Sequence, residues 1–200
     1  NTHADDLTVT VQDSTRPSTA STSITINFRG NDFVITNDPI QVAGRDQAMS
    51  ATMRVGSTCG TTNTAYTGVK SLKAWITRNA SDPAGAAPTI VAVSLPNAAP
   101  GANNLTLTFT AGVVNFNLST TDVGKYALNL RDDSGTFAGT PATPIQIKGS
   151  SPTITTRPFG FSLSGPGIPG VAGPGGAVFK KAGENFDVTV TAVVMVGELP

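Results

Sequence analysis

Apolar and polar residues alternate with a period of two over most of the chain, the pattern of strands that bury one face. The clearest run puts Tyr126, Leu128 and Leu130 on one face and Lys125, Asn129 and Arg131 on the other. Leu105, Leu107 and Phe109 alternate with Thr106, Thr108 and Thr110, and after Gly112 the residues Val114, Phe116 and Leu118 alternate with Asn115 and Asn117. Upstream, Leu7, Val9 and Val11 share a face, as do Ile24, Ile26 and Phe28, and then Met49, Ala51, Met53 and Val55. Residues 33–36, 69–78, 90–95, 145–148 and 154–156 read as further strands. No stretch carries the 3.6-residue period of an amphipathic helix. The pattern predicts an all-β chain.

The turn into the Leu128 strand is the most specific local signal. It reads Asp122-Val123-Gly124-Lys125-Tyr126-Ala127-Leu128, an Asp-x-Gly-x-Tyr-x-Leu arrangement. Immunoglobulin-like sandwiches carry a similar stretch at the corner entering their sixth strand, where the tyrosine hydroxyl bonds back to backbone and the position two residues on points into the core. On this reading Asp122 and Gly124 shape the corner, Tyr126 is buried with its hydroxyl on a backbone acceptor, and Leu128 fills the core position. The same fold places a core tryptophan on its third strand. Here Leu72, Ala74 and Ile76 form the apolar face of that strand, and Trp75 shares parity with Lys73 and Thr77. Either a bulge flips the register or Trp75 faces outward, as a ligand or interface contact; the sequence leaves both open.

Organisation follows from a repeat. Residues 29–36 (RGNDFVIT) resemble 157–164 (RPFGFSLS) at an offset of 128, and Ala43-Gly44-Arg45-Asp46 resembles Ala182-Gly183-Glu184-Asn185 at an offset of 139. The difference of 11 fits an insertion in the second copy, which contains GPGIPGVAGPGG. Beyond it, Phe186, Val188, Val190 and Ala192 alternate with Asp187, Thr189 and Thr191. The expectation is therefore immunoglobulin-like β-sandwich modules in series. Residues 1–28 supply the last strands of a preceding module or pair into the main sheet, 29–156 form one sandwich, and 157–200 open a second, with the chain read as a fragment of a longer protein.

Charge and composition narrow the chemistry. Charged residues make up 13% of the chain, against about 25% in an average domain, and the 13 basic and 13 acidic residues cancel. No basic field is present for nucleic acid or an anionic membrane, and no apolar run approaches the roughly 18 residues of a membrane helix. The single His3 and single Cys59 leave no Cys/His zinc set, no redox pair and no activated nucleophile. The adjacent carboxylates Asp5-Asp6 and Asp132-Asp133 do not resemble a glycosidase pair across a cleft; they read as solvated turn residues, with turn-bound calcium as the alternative. Asn79, Asn104 and Asn117 sit in glycosylation-type triplets. No cofactor is expected and the chain reads as a non-enzyme. Aromatic residues are 6% of the chain. Most of the phenylalanines fall at inward strand positions, the direction of Tyr66 at the end of a polar loop is not fixed, and Trp75, on the outward reading, could stack on a sugar or dock a neighbouring module.

Several stretches taken in order resemble a known family. They are Tyr66-Thr67-Gly68-Val69-Lys70-Ser71-Leu72, the step at 109–112, Asp122-Val123-Gly124-Lys125-Tyr126, Arg157-Pro158-Phe159-Gly160-Phe161 and Lys181-Ala182-Gly183-Glu184-Asn185-Phe186. Over about residues 40–200 they are similar to the C-terminal region of MshQ-like proteins, associated with the mannose-sensitive haemagglutinin type IV pilus of Gram-negative bacteria. The resemblance implies an extracellular, non-catalytic adhesin or pilus-associated scaffold, with a carbohydrate-binding module or a passive stalk spacer as alternatives. Partners would be neighbouring β-modules of the same chain, pilus subunits or surface glycans. The family brings no catalytic residues to this sequence.

Overall fold

The computed structural model describes residues 5–12, 15, 21–28, 31–55, 60–134, 146–165 and 180–194. Two strands, β1 (Asp5–Gln12) and β2 (Ser21–Phe28), form an antiparallel pair of their own. The main body runs from Asn31 to Arg157. It contains β3 (Asn31–Asn37), β4 (Ile40–Val42), β5 (Gln47–Val55), β6 (Thr61–Thr62), β7 (Gly68–Arg78), β8 (Thr89–Ile90) and β9 (Val93–Ser94). It continues with β10 (Leu105–Phe109), β11 (Val113–Ser119), β12 (Gly124–Asp132), β13 (Ile147–Ser150) and β14 (Ile154–Arg157). A last antiparallel pair, β15 (Gly160–Ser164) and β16 (Thr189–Val193), follows.

Hydrogen bonding in the main body follows the path β10-β7-β12-β13-β3-β5-β11-β8-β9. The path folds over at β13–β3, where one parallel pair, Lys148 and Asp32, links the two halves. The halves are two sheets packed face to face: Phe33 on β3 stacks on Phe109 of β10 with ring centroids 5.9 Å apart. Burial alternates strictly along β10 and β12, so each strand gives every second side chain to one core. That core holds Leu72, Ala74 and Ile76 of β7, Leu128 and Leu130 of β12, and Met49, Ala51 and Met53 of β5. The short strand β4 pairs in parallel with β14 and closes an edge. No helix is present among the described residues, so none is long and apolar enough to cross a membrane. The fold is an immunoglobulin-like β-sandwich.

Two tight turns show what the alternation could not. Ala111 and Gly112 both take left-handed φ, 47° and 84°, and turn β10 into β11. That is the geometry two-residue hairpins prefer, and a glycine at the second position meets no steric cost. Residues 90–95, read as one strand, instead double back: β8 and β9 pair across Val91 and Ala92, at φ 49° and 61°. Neither residue signals a turn, and a β-branched side chain in left-handed backbone is strained.

Candidate functional site

The corner is built around β12. A Cβ on Gly124 would come within 2.8 Å of the Tyr126 ring, so any side chain there would force the ring to shift. Tyr126 is buried, and burial pushes its phenol above the usual value. Its hydroxyl lies 3.3 Å from the Thr156 hydroxyl on β14, its one described hydrogen-bond partner. This corrects the backbone acceptor expected from sequence: β14 lies antiparallel beside β12 and presents a side-chain oxygen there. Leu128 lies in the core, and its backbone N–H donates to the Ser151 hydroxyl at 3.0 Å.

Asp122 reaches across to another loop. One carboxylate oxygen accepts from Val123 N–H at 2.8 Å, the other from Ala86 N–H at 3.1 Å. Asp82, on the same loop as Ala86, accepts from Lys125 N–H at 2.9 Å with one oxygen. Its other oxygen takes Ala84 N–H at 2.6 Å and the Arg78 guanidinium at 2.8 Å. Burial pushes the Asp82 carboxyl up, but the bonds from Lys125, Ala84 and Arg78 outweigh it and hold the group below the usual carboxylate range. Arg78 also donates to Asn97 and to Gly85 O, tying the loop after β7 and the segment after β9 to the end of β7. Sequence reasoning missed this network, because its members are distant along the chain.

A second buried pair was also missed. Asp132 continues the inward parity of Tyr126, Leu128 and Leu130 and is 2% exposed. The solvated-turn reading is thereby corrected for Asp132, while Asp133, just past the strand, stays partly exposed; the parity of β12 was the signal that could have shown it. The Tyr66 hydroxyl donates to Asp132 Oδ2 at 2.6 Å, and Ser134 N–H donates to Oδ1 at 2.8 Å. The Tyr66 ring meets Phe109 edge-on at 4.8 Å and Phe33 at 5.9 Å. Burial, then the Asp132 hydrogen bond and charge, push the Tyr66 phenol strongly upward.

Trp75 stands half-buried on the outer face of β7, between the buried Ala74 and Ile76, with no bulge between β7 and β12 to flip it. The Arg131 guanidinium sits 5.8 Å from its ring centroid. Asn129, paired with Trp75 across the ladder, donates to the Thr77 hydroxyl at 3.0 Å. Beside them Lys73 bridges Asp133 at 2.8 Å, and Arg131 Nε contacts the same carboxylate at 2.9 Å. The Lys73 hydrogen bond is the main cause holding Asp133 below the usual carboxylate range. The patch sets an aromatic ring among paired charges and amides.

The opposite outer face carries an open groove of about 660 Å³, lined by residues 36–38, 48–50 and 115–117, chiefly hydroxyl and amide side chains. Among the described residues, no three His, Cys, Asp or Glu side chains stand where they could hold a metal. Cys59 and His3 lie outside the described residues, and for Asp5 and Asp6 the description extends to the strand alone. Of the asparagines in glycosylation-type triplets, Asn104 is engaged on both ends of its amide with the Ala74 backbone. Phe33, Phe109 and Phe116 are buried as the alternation implies, whereas Phe159, Phe161 and Phe186 stand exposed.

Among known families, residues 8–149 match one described as a domain of unknown function (DUF6701), first Ig-like domain. The match begins within β1 and ends within β13. No curated protein and no solved structure matches the chain.

Proposed function

The chain belongs to the DUF6701 family through its first immunoglobulin-like domain, and from that premise we propose that it is a non-catalytic scaffold module of an extracellular bacterial surface protein. The observation that carries the reading is the use made of four carboxylates around the corner and the end of β12. Asp82, Asp122, Asp132 and Asp133 each accept from a structural donor or sit in an ion pair. A general acid or base needs a free valence facing a substrate; these four are spent on the loop after β7, the corner and the end of β12. The ordered motifs that resemble MshQ-like proteins favour a pilus-associated adhesin, with the ligand met elsewhere in the full protein.

Trp75 favours a second reading, in which this module itself touches a neighbouring module, a pilus subunit or a surface glycan. A half-buried ring on an outer sheet face, flanked by Arg131 and Asn129, suits stacking with polar contacts at its rim. The test is to replace this module, in cells displaying the full-length protein, by an unrelated sandwich of equal length, and separately to introduce Trp75→Ala. The scaffold reading expects adhesion to survive both changes. Loss of adhesion in Trp75→Ala with normal display supports the contact reading. Sugar release when residues 1–200 are incubated with polysaccharides contradicts both.

A further inference from the structure

The first and last strands of the main body run side by side in the same direction. Asp32 on β3 pairs with Lys148 on β13, and Ile40, Gln41 and Val42 on β4 pair with Thr155, Thr156 and Arg157 on β14, all in parallel. The offsets are 148 − 32 = 116 and 155 − 40 = 115, so β3 with β4 and β13 with β14 keep the same register to within one residue. Two backbone bonds extend the ladder: Thr155 N–H donates to Pro39 O at 2.9 Å, and Ala43 N–H donates to Arg157 O at 2.9 Å. At β13 the approach is closer still. A Cβ on Gly149 would run into the Phe33 carbonyl, so no side chain fits between the two backbones there. Gln41, Ala43 and Thr156 are buried, which shields the inner side of the ladder from water.

Parallel pairing fixes where the chain enters and leaves this body. Arg157 lies beside Val42, and 42 − 31 = 11 residues of extended chain separate Val42 from Asn31. Entry at Asn31 and exit at Arg157 are therefore at opposite poles, roughly 35 Å apart along the strands. Had the last strand run antiparallel to the first, both would lie at one pole, and tension would peel the strands apart one bond at a time. Here tension draws β4 toward one pole and β14 toward the other. The bonds between them are sheared along the ladder, stretch together and must fail together. The seven antiparallel pairs of β3 with β5 lie in the same line of pull. We propose that this sandwich bears tension, and that the parallel ladder of β4 on β14, backed by β3 on β13, is the element that resists extension between Asn31 and Arg157. The proposal deepens the scaffold reading and rests on it for the source of the load; the resistance itself belongs to the pairing.

Single-molecule force spectroscopy at constant load tests it. Residues 1–200 with Cys59→Ser are held by handles at the two chain ends, or crosswise by handles on Ala48→Cys and Asn117→Cys, exposed partners on β5 and β11. The quantity read is the lifetime of the main body before it unfolds. At equal load it should last on the order of 100-fold longer end to end than crosswise, because several hydrogen bonds must break at once. Thr155→Pro removes the N–H that donates to Pro39 O. It should shorten the end-to-end lifetime by roughly tenfold and leave the crosswise lifetime unchanged. Equal lifetimes in the two directions overturn the proposal, whether or not the proline variant folds. A Thr155→Pro variant that weakens both directions alike also overturns it, since the bond then supports the fold without resisting the pull. Neither readout involves adhesion, so the module replacement above can fail while the direction dependence holds, and the reverse.

Discussion

Replacing Tyr66 by phenylalanine removes one oxygen from the core and leaves the ring in its contacts with Phe109 and Phe33. The oxygen lost is the donor to Asp132 Oδ2 at 2.6 Å, on a residue 2% exposed. The carboxylate keeps Ser134 N–H on its other oxygen and loses the donor on this one. A hydrogen bond to a charged group contributes about 1.5–3 kcal/mol, and an unsatisfied buried acceptor adds its desolvation cost, so Tyr66→Phe should destabilise by roughly 2–3 kcal/mol. For a chain of this size that lowers the Tm by about 4–12 °C. The partner can be removed as well. Tyr66→Phe with Asp132→Leu replaces both polar groups by apolar ones, and the second change should recover part of the loss, a coupling of about 1–2 kcal/mol. Urea unfolding of wild type, both single variants and the double gives all four corners of the cycle. A Tyr66→Phe variant within 0.5 kcal/mol of wild type, or strictly additive changes, would refute the pairing as a source of stability. The raised phenol adds a pH signature. The folded value lies above the ordinary 10.0, so the contribution is complete below pH 10 and is lost as pH rises from there toward the folded value. Wild type should lose stability above pH 10 more steeply than Tyr66→Phe.

Three further outcomes are expected. Leu128→Ala, at a fully buried position, should cost about 2–5 kcal/mol, read from denaturant midpoints; an unchanged midpoint would take Leu128 out of the core. Asp82, whose carboxyl is depressed below its ordinary 3.8, contributes stability that is present above that value and lost as pH falls through the folded one; an acid titration should show this loss blunted in Asp82→Asn. Ala92→Gly relieves a left-handed φ of 61° and should raise stability by about 0.5–1 kcal/mol, seen as a higher Tm, whereas a lower Tm would mean that the β8–β9 turn is not strained.

The strands were legible because each buries every second residue, and a period of two survives in the sequence whatever the strand's partner is. Leu128, Leu107 and Phe116 could be placed inward on that ground alone. The parity of Trp75 was legible too, and pairing with Asn129 without a bulge resolved it outward. What escaped were interactions between residues far apart in sequence. Tyr66 and Asp132 are 66 residues apart, and no local pattern joins a loop tyrosine to a carboxylate that looks like part of a turn. Asp82 and Lys125 are 43 apart, with a proline- and alanine-rich loop between them and β8. The acceptor of the Tyr126 hydroxyl depended on which residue of β14 came alongside, a matter of register. Val91 and Ala92 turn a hairpin without any of the residues that favour left-handed backbone, so the sandwich around them, not their propensity, sets the conformation.

On the function proposed above, this module holds others in place and the ligand is met elsewhere in the full protein. A sugar site wants aromatic platforms in a concavity with convergent polar groups. Tyr66 and Tyr126 are buried in the core, and Trp75 stands on an outer sheet face. The direct measurement is titration of residues 1–200 against a broad glycan panel by calorimetry, with Trp75→Ala alongside. The account predicts no saturable binding at millimolar ligand. Saturable binding that persists in Trp75→Ala would contradict it.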